Sequence, residues 1–221
     1  MKEEILQTAL DQFLKFGIRD MSIKKLIEPL GISTKTVYKY YENKEELLRE
    51  VLQLLYNQQY QLIENLSADQ NVVTLLFDIW YLAIEKAFDV NNIFYKDLHY
   101  YYPELEQKNE VELGKKFGQQ FQNLIRKGIN QGVFRDGLLP DVAMEGIYVL
   151  YNAIARTELF KRFGVSPHEI LFNTIALYIR GLCTQIGLQE LEAYMATREP
   201  FGEIETVGKY TVAKKSISQT V

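Results

Sequence analysis

The sequence predicts an all-α protein built from a small N-terminal head and a larger helical body. Three observations carry that prediction. Apolar residues recur three and four apart along most of the 221 residues. The breaks between these stripes carry helix punctuation, namely Gly17, Gly31, Asn91-Asn92, Pro103, the stretch from Gly132 to Pro140, and Gly164 with Ser166-Pro167. No sustained two-residue alternation occurs before Phe201, and there is no internal repeat or low-complexity tract.

In the head, Ile5, Leu6, Ala9, Leu10, Phe13 and Phe16 form one stripe, and Gly17 follows it where a helix ends. Ser22 can cap a second helix with Ile23, Leu26, Ile27 and Leu30 on its inner face, closed by Gly31. Ser33 opens a third, Thr34 to Tyr41, one residue further on. Two short helices joined by a tight turn containing glycine form a helix-turn-helix. Asn43 with Glu46 reads as a capping box for a fourth helix at 44–66, which connects head and body.

The body's helical patterns lie at 72–89, 92–101, 104–131, 141–163 and 167–187, after a polar break at 67–71. Ser166, Pro167 and Glu169 fit the first positions of the last of these, which makes His168 a surface residue of a helix start. The resulting division is a head at 1–47, a body at 48–195, and a tail at 196–221. The tail turns β-branched around Gly208 and is either disordered or a small strand pair.

Composition excludes several classes. Hydrophobic residues make up 47 % of the chain, enough for a real core, yet no apolar run nears the roughly 18 to 20 residues of a membrane span. The charged, amphipathic N-terminus is unlike a secretory signal, and a cytoplasmic location is expected. One cysteine, Cys183, and two histidines argue against a disulfide framework or a zinc site, and no cofactor is expected. No serine-histidine-acid set, phosphate loop or metal cluster stands out, so the chain does not read as an enzyme.

Charge distribution points elsewhere. Residues 15–44 hold seven Lys or Arg against three Asp or Glu, a balance of +4, which leaves −8 for the rest of a chain whose net charge is −4. One basic segment on an acidic chain suits a protein that presents a single face to phosphate. The third helix sharpens this. Val37 must face inward, leaving Thr34, Lys35, Thr36, Tyr38, Lys39 and Tyr40 on other faces, a set of hydroxyls and ammonium groups able to reach phosphates and base edges. Lys44, at the first position of the fourth helix, adds charge beside backbone amides that can hold a phosphate.

At this point residues 5–48 resemble the tetracycline-repressor (TetR) family of bacterial one-component regulators. The matching positions are Ile5-Leu6, Ala9-Leu10, Phe13, Gly17, Ser22, Gly31-Ile32-Ser33, Thr36-Val37-Tyr38-Lys39-Tyr40-Tyr41 and Lys44-Glu45-Glu46-Leu47. Leu26-Ile27 and Pro29 depart from the family's usual residues, and Pro29 removes a backbone donor from the second helix's last turn. The resemblance implies that Ser22, Thr34, Tyr38, Tyr40 and Lys44 hold the DNA backbone while Lys35, Thr36 and Lys39 reach bases, with Ser33 counted in the same surface. Tyr41 stands at a core position. The resemblance further implies a homodimer on a pseudo-palindromic double-stranded DNA operator, dimerised through the last two long helices, and repression relieved by a small molecule.

Small residues at Ala143, Gly146, Ala153, Ala155, Ala176 and Gly181 suit such a dimer seam, and suit an intrachain helix pair equally well. Aromatic residues crowd the stretch from Phe77 to Phe121. An apolar effector cavity there would use Trp80, His99, Tyr102 and Phe121, and the absence of a basic cluster argues against a strongly anionic ligand such as a nucleotide. The alternative is a DNA-binding head on a helical protein-interaction module with no effector.

Overall fold

The computed structural model describes residues 1–66, 71–157 and 159–197. Among them eleven α-helices form and no strand. They are α1 (Lys2–Phe16), α2 (Ile23–Leu26), α3 (Thr34–Val37), α4 (Lys44–Glu64), α5 (Val72–Phe88), α6 (Asn92–Tyr101), α7 (Pro103–Asn130), α8 (Pro140–Ala155), α9 (Pro167–Phe172), α10 (Ile175–Leu182) and α11 (Gln185–Thr197). Of the expected tail, Ala196 and Thr197 complete α11. The choice between disorder and a strand pair falls on 198–221, outside the described residues.

The element boundaries differ from the sequence expectation where local chemistry competes with the helix. The second helix stops after Leu26, and Glu28–Leu30 tighten into a 3-10 turn around Pro29, which has no amide to continue the ladder. The third ends at Val37, with Tyr38 to Tyr40 in turns, so the helix is half its expected length. The helix at 141–163 ends at Ala155. The segment 167–187 is broken twice. Thr174 leaves helical geometry and turns its hydroxyl back onto the Ile170 carbonyl. Cys183 is extended and pairs with Phe134 in an isolated bridge, after which α11 starts. Tyr194 of α11 donates to the Asp78 carboxylate of α5 at 2.6 Å, fastening this last helix to the body.

Two apolar cores organise the molecule. The body core gathers α5, α7, α8, α9, α10 and α11 around Phe77, Ile84, Ile125, Ile147, Ile175 and Leu191. The other core joins Phe13 of α1, Leu26, Val37, Tyr41 and the first half of α4 to Phe94, Tyr95 and Leu98 of α6. Helix α6 is thus buried against the head although it lies in the body's part of the sequence.

Polar contacts lock that junction. Asp97 of α6, almost fully buried, accepts from the backbone N–H groups of Ile18 and Arg19, both at 2.7 Å from its Oδ2. The Asn91 amide donates to the Leu14 carbonyl at 2.9 Å, and its side chain donates to the Lys15 carbonyl at 3.1 Å. The end of α1, whose C-cap Gly17 returns its N–H to the Phe13 carbonyl at 2.9 Å, is therefore also held by α6. Gly17 permits this twice over. Its φ of 81° favours glycine, and a Cβ there would collide with Ile93 and sit 2.9 Å from Asp97 Oδ2.

His168 departs from its expected surface position. The Ser166 and Glu169 capping box forms as the sequence suggests, yet the histidine is buried, its ring stacked on Tyr81 at 5.1 Å between centroids. Burial lowers its pKa from the ordinary 6.5, against a smaller opposing pull from Glu85. Below 6.5 the unfolded chain then binds more protons than the folded one. Stability should be complete above that pH and decline as pH falls toward the folded-state value. Urea denaturation between pH 7.5 and 5 is expected to show that slope, and His168→Gln to flatten it.

Candidate nucleic-acid interface

Helix α3 is held by its N-cap. The Ser33 hydroxyl accepts from the Thr36 amide at 3.3 Å and lies 3.1 Å from the Thr36 hydroxyl, while Val37 is fully buried against the helices that precede and follow. That anchoring fixes which side chains point away. Ser33, Lys35, Tyr38, Lys39 and Tyr40 are exposed, with Tyr38 at 55 % and Tyr40 at 40 %, and Thr34 and Thr36 are half-buried at the same edge. Ser22 is exposed and accepts from the Lys25 amide as the cap of α2. Eight of the nine residues expected at the interface are therefore exposed or half-buried on α2, α3 and the turns that flank them.

Such a surface has a definite chemistry. Two lysines supply charge, two phenols and four aliphatic hydroxyls can donate to phosphate oxygens, and no carboxylate lies between Thr34 and Tyr41. Tyr38 and Tyr40 stand exposed beside the lysines, each with a ring that can pack and a hydroxyl that can donate.

Lys44 is placed differently. Its ammonium donates to the carbonyls of Ile18, by a short bond, and Arg19, at 3.2 Å, and it lies 5.9 Å from the centre of the Phe13 ring. Burial lowers its pKa, an effect opposed by Asp97 and Asp20. The loop between α1 and α2 is thus held from both sides, its amides by Asp97 and its carbonyls by Lys44. What Lys44 adds at the start of α4 is fixation of that loop, while Asn43 caps the helix by accepting from the Glu46 amide at 2.9 Å.

The residues expected to line one effector cavity are not brought together. Trp80 and Phe121 belong to the body core, stacked at 5.4 Å and 17°. Tyr102 packs against the core of the head. His99 is exposed, its Nδ1 2.9 Å from Glu106. The reason is helical phase. His99 sits on the exposed face of α6, while Tyr102, its C-cap, follows Leu98 onto the core of the head. Sequence reading missed both Asp97 and Arg156. Arg156 follows α8 and lies with its guanidinium 5.3 Å from the Tyr95 ring centre. Nothing local marks either residue, because each acts on groups more than sixty positions away.

Comparison with known proteins agrees with this geometry. Residues 5–51 match the profile of the bacterial regulatory proteins of the tetR family. The chain is 24 % identical over 152 residues to the HTH-type transcriptional repressor KstR2 of Mycolicibacterium smegmatis, a match covering 66 % of this chain and 72 % of the repressor. Solved structures with the same fold include a TetR-family transcriptional regulator from Vibrio parahaemolyticus, 22 % identical, with a TM-score of 0.61 over 83 % of this chain and 99 % of that one. Others are the fatty acid degradation regulator FadR from Bacillus halodurans, 17 % identical with a TM-score of 0.65 over 80 % and 94 %, and E. coli NemR in its reduced form, 16 % identical with a TM-score of 0.69 over 83 % and 96 %.

The two kinds of lysine should separate in stability. Lys44→Ala removes hydrogen bonds to two loop carbonyls and is expected to lower unfolding free energy by about 1 to 2 kcal/mol. Lys39→Ala, at an exposed site, should change it by no more than about 0.5 kcal/mol. Urea titrations of both variants beside the parent check this.

Proposed function

We propose that the chain is a DNA-binding regulator of the TetR type, a homodimeric repressor whose α3 enters the major groove of a pseudo-palindromic operator, since its residues 5–51 match that family's profile. The observation that carries this is the exposed edge of Ser22, Ser33, Thr34, Lys35, Thr36, Tyr38, Lys39 and Tyr40, clear of both apolar cores. In this reading Tyr38, Tyr40, Thr34 and Ser22 bind phosphates, Lys35, Thr36 and Lys39 reach base edges, and Lys44 acts by holding the loop behind them. The functional division at 1–47 and 48–195 is read accordingly, with α4 as connector and α6 as the body's hold on the head. No helix of the described residues is long and apolar enough to cross a membrane, and action on DNA fits a cytoplasmic protein.

The dimer seam is read from exposed apolar side chains on α8 and α10. Val142 and Val149, seven apart on α8, and Leu177 on α10 are each more than half exposed. The small residues divide between two roles. A Cβ at Gly146 would strike the Tyr178 hydroxyl, so that glycine serves the intrachain pairing of α8 with α10. Gly181 has open space around it and can admit a partner helix. Two copies joined here bury roughly 2,000 Å² and set recognition helices about 34 Å apart.

The effector is read as a small, mostly apolar molecule entering the body where α5, α7 and α8 meet. Trp80 Nε1, Gln120 Oε1 and Asn152 Oδ1, one on each of these helices, are buried with no hydrogen-bond partner among the described residues, and a bound molecule would relieve that desolvation. Its binding releases DNA to the extent that it favours one head arrangement over the other.

Titration of the purified chain against operator and scrambled duplexes tests the reading. Tyr38→Phe is expected to weaken binding to every duplex several-fold, and Lys39→Ala to narrow the preference for operator over scrambled DNA by about tenfold. A dimer mass in solution is expected, and Leu177→Glu should yield monomers. Wild-type affinity in both head variants, or a monomer in the parent, would contradict it.

A further inference from the structure

The loop between α1 and α2 carries an arginine that is held in place yet pairs with no carboxylate among the described residues. Arg19 is fixed through its main chain, its N–H donating to Asp97 Oδ2 at 2.7 Å and its carbonyl accepting from Lys44 at 3.2 Å. Its side chain is exposed, and the guanidinium lies over the ring of Tyr101, 5.1 Å from the centre. We propose that Arg19 binds a phosphate of the DNA backbone, and that Tyr101 of α6 is the positioning residue that holds its guanidinium ready. The inference rests on the DNA-binding reading above and adds to it a contact from outside α2 and α3.

The place of the loop supports this. Lys25 of α2 reaches back to the Asp20 carbonyl at 3.2 Å, so the loop lies against that helix. Ser22, already read as a phosphate contact, follows Arg19 by three positions and is exposed, as are Lys24 and Lys25. From Lys15 to Lys25 the chain carries four basic residues and one acidic residue, Asp20. Asp20 and Asp97 both act on the Lys44 ammonium, which leaves Arg19, Lys24 and Lys25 as the cations of this edge. A local surplus of positive charge on an acidic chain suits a polyanion.

The stacking suits the task as well. A free arginine on a loop samples many rotamers, and binding a phosphate removes that freedom. A ring against the guanidinium narrows the search in advance, and a cation–π contact draws on the charge without consuming the N–H donors. Those donors form a planar fork that matches two phosphate oxygens. Tyr101 is itself exposed, so the pair stands where a duplex can reach it. Asp97 and Tyr101, four apart, share one face of α6. That face therefore holds both the main chain and the side chain of Arg19, and a shift of α6 against α1 displaces the guanidinium.

A labelled scrambled duplex of about 30 base pairs, titrated with the full chain by fluorescence anisotropy between about 50 and 200 mM salt, tests this, because a phosphate contact is independent of sequence. Arg19→Ala retains the main-chain bonds to Asp97 and Lys44. It is expected to weaken binding roughly fivefold or more at the lowest salt, and to reduce the slope of log affinity against log salt by about 0.9 per protomer. Tyr101→Ala should weaken binding about threefold, Tyr101→Phe should bind like the parent, and Tyr101→Ala should add nothing in the Arg19→Ala background. Weakened binding of Arg19→Ala with an unchanged salt slope marks a merely structural role and overturns the inference. Tyr101→Phe as weak as Tyr101→Ala, or a full Tyr101→Ala effect without Arg19, overturns the positioning role. If the parent binds the duplex and Arg19→Ala matches it in affinity and slope, the inference falls and the DNA-binding reading stands. If the parent binds no duplex at any salt, the DNA-binding reading itself falls.

Discussion

One buried carboxylate decides how the two cores behave as one molecule. Asp97 lies in α6 and accepts two backbone amides from the loop that follows α1. A buried carboxylate is tolerated when it is hydrogen-bonded, and these charge-assisted bonds contribute more than neutral ones, about 1.5 to 3 kcal/mol each. Remove the carboxylate and the two amides lose their partner inside the junction. Gly17 is the complement of this demand, because only a residue without a side chain lets α6 come so near. Lys44 then closes the same loop from the carbonyl side. The position of α2 and α3 relative to the body follows from those three residues more than from the short helices themselves.

This arrangement gives a physical route from the body to the exposed edge of α3. Helices α2 and α3 have four residues each, too short to be stable alone, and they persist through packing on α1 and α4. Whatever moves α1 moves them as a block. Helix α6 meets the end of α1 on one side and packs against α7 on the other, so it is an element through which the body bears on the head. A coupling of this kind requires two arrangements of α6 between which a ligand discriminates, and tight binding alone would not produce it.

How much of this could be read from the sequence depends on the range of the interaction. The all-α class, the head, the N-caps Ser22, Ser33, Asn43 and Ser166 and the exposed edge of α3 were legible because caps and helical stripes act over three or four residues. Helix ends were less so. Pro29 was noticed, but the halts at Val37 and Ala155 and the break at Thr174 depend on tertiary packing and on a hydroxyl turning back onto its own helix. The effector region was read from aromatic density alone. Density cannot say which ring faces which neighbour, so Trp80 and Phe121 went into the core together while His99 and Tyr102 went elsewhere. His168 shows the same limit: its cap was readable, its burial against Tyr81 was not.

The central claim is that Asp97 binds the head to α6. Hydrogen exchange at the Ile18 and Arg19 amides tests it most directly, since an exposed loop following a helix normally exchanges fast. The account predicts that both amides are protected to the level of α6's own amides, and that Asp97→Ala removes this protection while the α5 amides stay slow. Fast exchange of Ile18 and Arg19 in the parent chain, or unchanged protection in Asp97→Ala, would contradict it.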